Sequence, residues 1–472
     1  MAKRGRDGHP ALTTNSIPVL PSELDLFADR HKNMAVTSAE WLNLKPVNAI
    51  SNTNVSHLEF VSTGEGHRYR NLNHVYLRLR VRLTKPDGTA LPMDRAEVPA
   101  SSGVTAQAAY TAPKFAIINN GLHSIINSIN VFLNGVDINA SSDFYAFRAY
   151  IETMLTFSAL HGYERLGPEF YHPSPDNSFG ETVLADETNW PADFKSNYGL
   201  KWRFDRTKEN KTLEMYGRLF LDLSTMKCLI PGNVDMRIKI NLNDPDFFIV
   251  TDTAGETARL FIDDASLMTQ VCSIQPSLLL AHERAFQTRS MNGPFKKTQM
   301  KQFVVPGNLR SFSLSNCWVG SLPRLVLFAM VDQNSASGDI TKNPMVFKHY
   351  SLSSVMFDVN GKQTKIEGLS FNQNQNLYAA AFVELYSALN MHRTPEASVS
   401  YHDFIHGKFV LAADLSATLE GLNHDYAPSA TGSLRVEANF AEALPHPITV
   451  LLMGIFDSTL YIDKDRNCSY SV

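Results

Sequence analysis

The chain has 472 residues, 44% of them apolar and 19% charged, a globular mix that excludes wholesale disorder. It is long enough for two or three domains whose cores need no metal or disulfide support. Its 43 Lys and Arg against 47 Asp and Glu give a net charge of −4, which speaks against gripping a phosphate backbone as its main task and suits a subunit that packs against its own copies.

In chain order, the first twenty or so residues are polar, with Lys3, Arg4 and Arg6 near the tip and Pro10, Pro18 and Pro21 further on. They read as a mobile arm over residues 1–22, either a disordered terminus or an arm that orders on a neighbouring subunit or an inner surface. The opening lacks the apolar stretch of a secretory signal. The longest apolar runs, such as Ile448 to Phe456, are about half the length of a membrane-spanning helix. The expectation is a soluble protein made on cytosolic ribosomes, without a transmembrane segment and with the sequons at Asn54, Asn210 and Asn467 idle. Strand signals then dominate. Val75, Leu77, Leu79, Val81 and Leu83 alternate with Arg78, Arg80 and Arg82, a period of two that sets one face in a core and the other in water. No aromatic interleaves the three arginines, so they read as a solvated face rather than a base-stacking surface. The run ends at Lys85-Pro86-Asp87-Gly88, a turn in which Pro86 presets φ and Gly88 accepts a positive one.

Residues 91–113, rich in Ala, Ser, Pro and Thr, predict a long loop. Ile129, Val131 and Leu133 alternate up to Asn134-Gly135, a hairpin signal because both central turn residues take positive φ. Ser141, Ser142 and Asp143 are placed to cap a helix along which Phe144, Phe147, Tyr150, Ile151, Met154 and Leu155 recur at helical spacing. That stripe reads as core packing. Residues 160–200, with Pro168, Pro173, Pro175 and Pro191, predict a second long excursion. Leu213 to Leu223, Val234 to Ile240 and Leu260 to Ser273 read as strands.

The second half repeats the plan. Phe303 to Gly307 and the continuous apolar run Arg324 to Val331 read as strands, the latter buried on both faces. Val355 to Val359 leads into a second Asn-Gly turn at Asn360-Gly361, and Leu377 to Leu389 has a helical period. Gly407 to Leu415, Leu434 to Phe440, Thr449 to Phe456 and Leu460 to Ile462 complete the strands. Both halves thus run hairpin, helix, a strand opened by glycine (Gly217, Gly407) and an alternating strand. The repetition predicts an all-β chain of two sandwiches of jelly-roll type. Two unrelated β domains with common parts are the competing reading.

Signatures of chemistry are absent: no HExxH, GxSxG, P-loop or EF-hand loop occurs. Cys228, Cys272, Cys317 and Cys468 are far apart and form no CxxC, which argues against zinc, redox and disulfide frameworks. Asp222, Asp235, Asp414 and Asp457 lie within or beside apolar strands and read as hydrogen-bonded carboxylates. The best metal candidate is His402 with His406, which share a face at ligand distance only on a helix. The strand signal behind Gly407 predicts an extended segment instead, with the two side chains about 13 Å apart, too far for one zinc ion.

The stretch Tyr145-Ala-Phe-Arg-Ala-Tyr-Ile-Glu-Thr-Met-Leu155 behind an Asn-Gly hairpin resembles the helix of the double jelly-roll major capsid proteins, in particular the Polinton/Maverick and adintovirus lineage. Gly217 to Leu223 with Asn233 to Lys239 resembles the end of that family's first jelly roll. Gly320 to Val326, Val331-Asp332, Lys342-Asn343-Pro344 and Phe347 to Tyr350 resemble the start of its second, and Gly432 to Glu437 with Phe440 to Leu444 resemble its last strands. The matches keep family order over roughly residues 115–465. The resemblance implies a double jelly roll, two tandem eight-stranded jelly rolls over residues 23–280 and 281–472, with short helices in connecting loops. It implies a homotrimeric, pseudo-hexameric, hexon-like capsomer closed by heterologous contacts. Such capsomers meet each other and penton and minor capsid proteins in an icosahedral shell around double-stranded DNA. The location implied is the virion, assembled inside the host cell. The excursions at 91–113 and 160–200 become outer-tower or clasping loops. No catalytic residue, cofactor, metal or specific nucleic-acid contact is expected. Two other classes remain: a β-sandwich glycan-binding or glycan-cleaving protein, with exposed aromatics and paired carboxylates, and a cupin-like metalloenzyme.

Overall fold

The computed structural model describes residues 35–471 apart from 49, 51–54, 92–94, 97–108, 111–113, 139–143, 158–164, 175–178, 181, 183–196, 366–377, 392–398 and 417–429. The expected arm at 1–22, the cap at Ser141 to Asp143 and most of both long excursions lie outside the described residues.

Among the described residues, sixteen strands build the four principal sheets. The first eight are β1 (Val36–Leu44), β2 (His57–Ser62), β3 (Arg68–Thr84), β4 (Ile126–Leu133), β5 (Val136–Asp137), β6 (Leu213–Arg218), β7 (Met236–Leu242) and β8 (Arg259–Ile274). They pair in the orders β1-β8-β3-β6 and β2-β7-β4-β5. The next eight are β9 (Met291–Val305), β10 (Ser311–Ser321), β11 (Leu325–Asp332), β12 (Leu352–Val359), β13 (Lys362–Lys365), β14 (Val410–Asp414), β15 (Thr431–Phe440) and β16 (Ile448–Ile462). They pair as β9-β16-β11-β14 and β10-β15-β12-β13. Adding eight to each strand number of the first set reproduces the second. Both sets share the two four-stranded, antiparallel arrays of a jelly roll, and in the second set Cys468–Ser471 adds a fifth strand along β16.

The strands form where the sequence alternates. On β3, Val75, Leu77, Leu79, Val81 and Leu83 are buried while the residues between them face outward. On β11, Leu325 to Val331 are all buried, because that strand lies between β14 and β16 in a covered sheet. Both Asn-Gly turns have left-handed residues at both positions, with φ of 46° and 83° at Asn134 and Gly135 and of 54° and 81° at Asn360 and Gly361. The repeat extends to side chains. Asn134 Oδ1 accepts from the amide of Asp235 at 2.7 Å, beside β7, and Asn360 Oδ1 accepts from the amide of Ser433 at 2.8 Å, on β15. Each turn asparagine thus ties its hairpin to the adjacent strand of its own sheet.

Several elements differ from the sequence expectation. Helix α1 (Tyr145–Thr156) is capped by Phe144 in a left-handed conformation (φ 70°), and it is buried on nearly all sides rather than on one stripe. Helix α2 (Tyr198–Thr207) starts inside the segment read as an excursion. The strand expected to reach Leu223 stops at Arg218, and Asp222–Thr225 is a 3-10 turn. β9 ends at Val305, before Pro306-Gly307. The two closing strands are one, Ile448–Ile462. Within 91–113, Arg95–Ala96 pairs with Ala109–Tyr110.

Helix α3 (Pro276–Phe286) connects the two jelly rolls, which meet through apolar contacts, Tyr150 lying edge-on to Phe347 at 5.7 Å, and through polar ones. From α1, Arg148 reaches Asp222 at 2.6 Å and Glu152 at 2.7 Å. Asp222 also accepts from the amide of Thr298 on β9 at 3.2 Å. Arg148 and Asp222 have side chains 3% and 2% exposed. Burial pushes the Asp222 carboxyl up from its ordinary range, against the pull of Arg148. Burial also opposes the charge of Arg148, but Asp222 and Glu152 outweigh it and hold the guanidinium above its usual value. A second tie is Arg466, in the turn after β16: its Nε donates to Gly232 O at 3.1 Å, its Nη2 pairs with Glu283 of α3, and its guanidinium lies 4.1 Å over the Phe286 ring. Replacing Asp222 by Ala leaves Arg148 buried with one carboxylate and frees the Thr298 amide. The expected cost is about 3–5 kcal/mol in denaturant unfolding, against under about 1 kcal/mol for Asp263→Ala, whose pair with Arg82 is about one-third exposed.

Candidate assembly surface

The outer face of the sheet β1-β8-β3-β6 carries a row of rings. Trp41 of β1 lies edge-on to Tyr76 of β3 at 5.8 Å and to His74 at 6.2 Å, and Tyr76 stacks on Tyr216 of β6 at 5.6 Å with the planes 5° apart. Trp41 is 49% exposed and Tyr216 38%. The residues arise from one rule: Tyr76 lies in phase with Arg78, Arg80 and Arg82, so it takes the face opposite the buried Val75, Leu77 and Leu79. The arginines next to it are not free cations. Glu214 of β6 takes Arg78 at 2.7 Å and Arg80 at 3.1 Å, which holds its carboxyl below the ordinary range. Arg82 lies 3.3 Å from Asp263 and over the Phe261 ring. The reading of a solvated face agrees with these pairs, and the structure adds that its charge is neutralised. The aromatic partner was missed because two of its rings come from distant strands, although Tyr76 in register with the arginines was a signal for the third.

Elsewhere, groups with catalytic potential are committed to structure. His123 is fully buried, with Nδ1 3.0 Å from the Tyr145 hydroxyl and Nε2 3.3 Å from Glu169. A carboxylate–imidazole–hydroxyl line can activate a nucleophile. Here the hydroxyl accepts the Phe220 amide at 3.1 Å, and burial pushes the phenol well above its ordinary value. Tyr145 is 1% exposed, so nothing can approach it. Among the four strand carboxylates, Asp222 pairs with Arg148, Asp235 accepts the Gly64 amide, Asp414 accepts the Ser416 amide, and Asp457 holds Lys296 and Arg324. An open cleft of about 460 Å³ is lined by Asp244 and Asp246 among others. Asp244 caps the short turn that bears Asp246, so the two do not face one another across the cleft.

The histidine pair requires a correction. Helix α4 spans Ala379–Ala388, and residues Tyr401–His406 form helix α5, not an extended segment, so that the His402 and His406 rings lie 4.4 Å apart instead of about 13 Å. The signal for this was present: Ser400 caps the helix, accepting the amide of Asp403 three residues on. Among the described residues, no three His, Cys, Asp or Glu side chains are gathered to hold one metal ion, and no helix is long and apolar enough to cross a membrane.

α2 anchors the chain on either side of residues 183–196. Arg203, 2% exposed, donates to Ile117 O at 3.0 Å and to His172 O. Arg206, Trp202 and His172 form a stack, with 3.8 Å from the guanidinium to the indole and 4.3 Å from the indole to the imidazole.

With this geometry in hand, comparison with known proteins identifies the fold. No family model matches the sequence. An uncharacterized protein of Caenorhabditis elegans is 20% identical over 333 residues, 70% of this chain and 72% of that protein. Among solved structures, a chain of the Sputnik virophage superposes with a TM-score of 0.56 at 12% identity, covering 98% of this chain and 94% of that one. The Faustovirus major capsid protein gives 0.53 at 7% identity over 94% and 92% of the two chains. The mavirus major capsid protein gives 0.50 at 10% identity over 98% and 96%. The likeness is one of fold, and the fold is the double jelly roll of viral major capsid proteins.

Burial, with Arg203 and Arg206 nearby, pushes the His172 imidazole down to about 4. Between the ordinary value of about 6.5 and 4, the folded chain therefore binds fewer protons than the unfolded one. Its stability should fall as pH is lowered through that window. His172→Gln should flatten that part of the melting-temperature profile.

Proposed function

We propose that this chain is a major capsid protein. Two jelly rolls per chain, brought round a threefold axis, give six similar units and a capsomer of pseudo-hexagonal outline that tiles a shell. The observation that carries the reading is the identical strand order of the two rolls, which makes the two halves geometrically interchangeable around a capsomer; the end-to-end likeness to capsid proteins supports it. The shell would enclose double-stranded DNA. Its net charge of −4 suits enclosure without a tight grip on phosphate. We assign the residue-level resemblance to the Polinton/Maverick and adintovirus lineage, and place the protein in the virion after assembly within a host cell. Neighbouring capsomers, penton and minor capsid proteins are the partners this role requires. The role is geometric, so the chain needs no catalytic centre.

The Trp41–Tyr76–Tyr216 row is the surface we assign to contacts between copies, because exposed rings rimmed by paired charges have the make-up of an interface core. Light scattering after size exclusion should give three times 52.7 kDa, and electron microscopy of concentrated protein should show shells or sheets of hexagonal outline. Trp41→Ala with Tyr216→Ala should shift the mass toward a single chain while leaving the melting temperature of the fold nearly unchanged. A glycan-binding sandwich is favoured by the same rings alone. It predicts monomers or dimers whose sugar binding, not mass, is lost in that variant.

A further inference from the structure

One helical turn separates His402 from His406 on α5, so both imidazoles leave the helix on the same side. Their ring centroids are 4.4 Å apart, inclined at 46°, and both residues are exposed. A tetrahedral ion bound by two imidazole nitrogens at about 2.0–2.1 Å needs those nitrogens about 3.3 Å apart. To reach that bite the two rings have to swing slightly apart about their side-chain torsions.

The short helix that carries them is pinned from beneath. Ser400 caps its start, and Asp403 points inward to Lys408 at 2.8 Å in a buried pair. Phe404 is fully buried, and the Phe179 ring packs on Gly407 so closely that a Cβ there would lie 2.8 Å from it. A ligand pair on an immobilised backbone does not have to be ordered when an ion arrives. A third imidazole, His349, is near enough to feel the charge of His406, but its Nδ1 accepts the Ser351 amide at 3.0 Å. The protein thus offers two ligands, and water fills the other positions.

We propose that His402 and His406 form a two-imidazole site for a divalent transition-metal ion of the zinc, copper or nickel class, the ions that imidazole favours. The site stands independently of the capsid reading. With two protein ligands it holds a labile ion, whose open positions are available to a donor from another molecule.

Zinc chloride alone, titrated calorimetrically into the tag-free full chain near pH 7.5, should bind with a stoichiometry of about one per chain and an affinity on the order of micromolar. His402→Gln and His406→Gln should each weaken binding at least tenfold, and His446→Gln should leave it unchanged. Because imidazole ligands must be unprotonated, binding should also weaken on going to about pH 5.5. The His406→Gln variant should melt with the parent chain in EDTA, since it alters an exposed side chain. Saturation that persists undiminished in the double variant, or no saturable binding below about 1 mM zinc, overturns the assignment.

Discussion

Asp222 carries a carboxylate into a space with almost no water, and the two jelly rolls meet around it. Taking such a charge out of water costs several kcal/mol. The cost is offset only while Arg148 lies at 2.6 Å and the Thr298 amide points at the same oxygen. Those two donors come from different jelly rolls. An arrangement that slid one sandwich past the other would leave the charge under-partnered, whereas an apolar joint of equal area would tolerate the slip. The contact therefore specifies orientation as much as it adds stability. The Arg466 turn, reaching back to Gly232 and Glu283, fixes the opposite end of the chain onto the first roll.

The likeness of the two halves goes deeper than strand order. In each, an asparagine at the first position of a hairpin turn bonds to the strand beside it, through Asn134 to Asp235 and through Asn360 to Ser433. Left-handed backbone at both turn positions brings the side-chain amide round to that neighbour, so one residue sets both the tight turn and its registration against the sheet. The partner residues differ, Asp in one half and Ser in the other, because only their backbone amides are used. This shows how two segments keep one architecture while their sequences diverge.

Alternating strands and Asn-Gly turns were legible because they are local: period two and positive φ are written in consecutive residues. The strand from Gly217 was read too long because Leu219, Leu221 and Leu223 continue to look apolar. The chain leaves the sheet there to deliver Asp222 to Arg148, a contact that local pattern cannot foresee. Helix α5 was misread for the opposite reason. Its six residues are too few for a periodic stripe, and its capping residue Ser400 was the only local mark. The row of rings was invisible as a unit because Trp41, Tyr76 and Tyr216 come from strands that the fold, not the sequence, makes neighbours.

The buried charged contact between the rolls has a consequence for anything built from many copies. If each chain enters an assembly with its two sandwiches already set at one angle, the building block is a stiff tile. Curvature must then come from the seams between tiles, where contacts are shallower and more easily rearranged, and not from flexing within them.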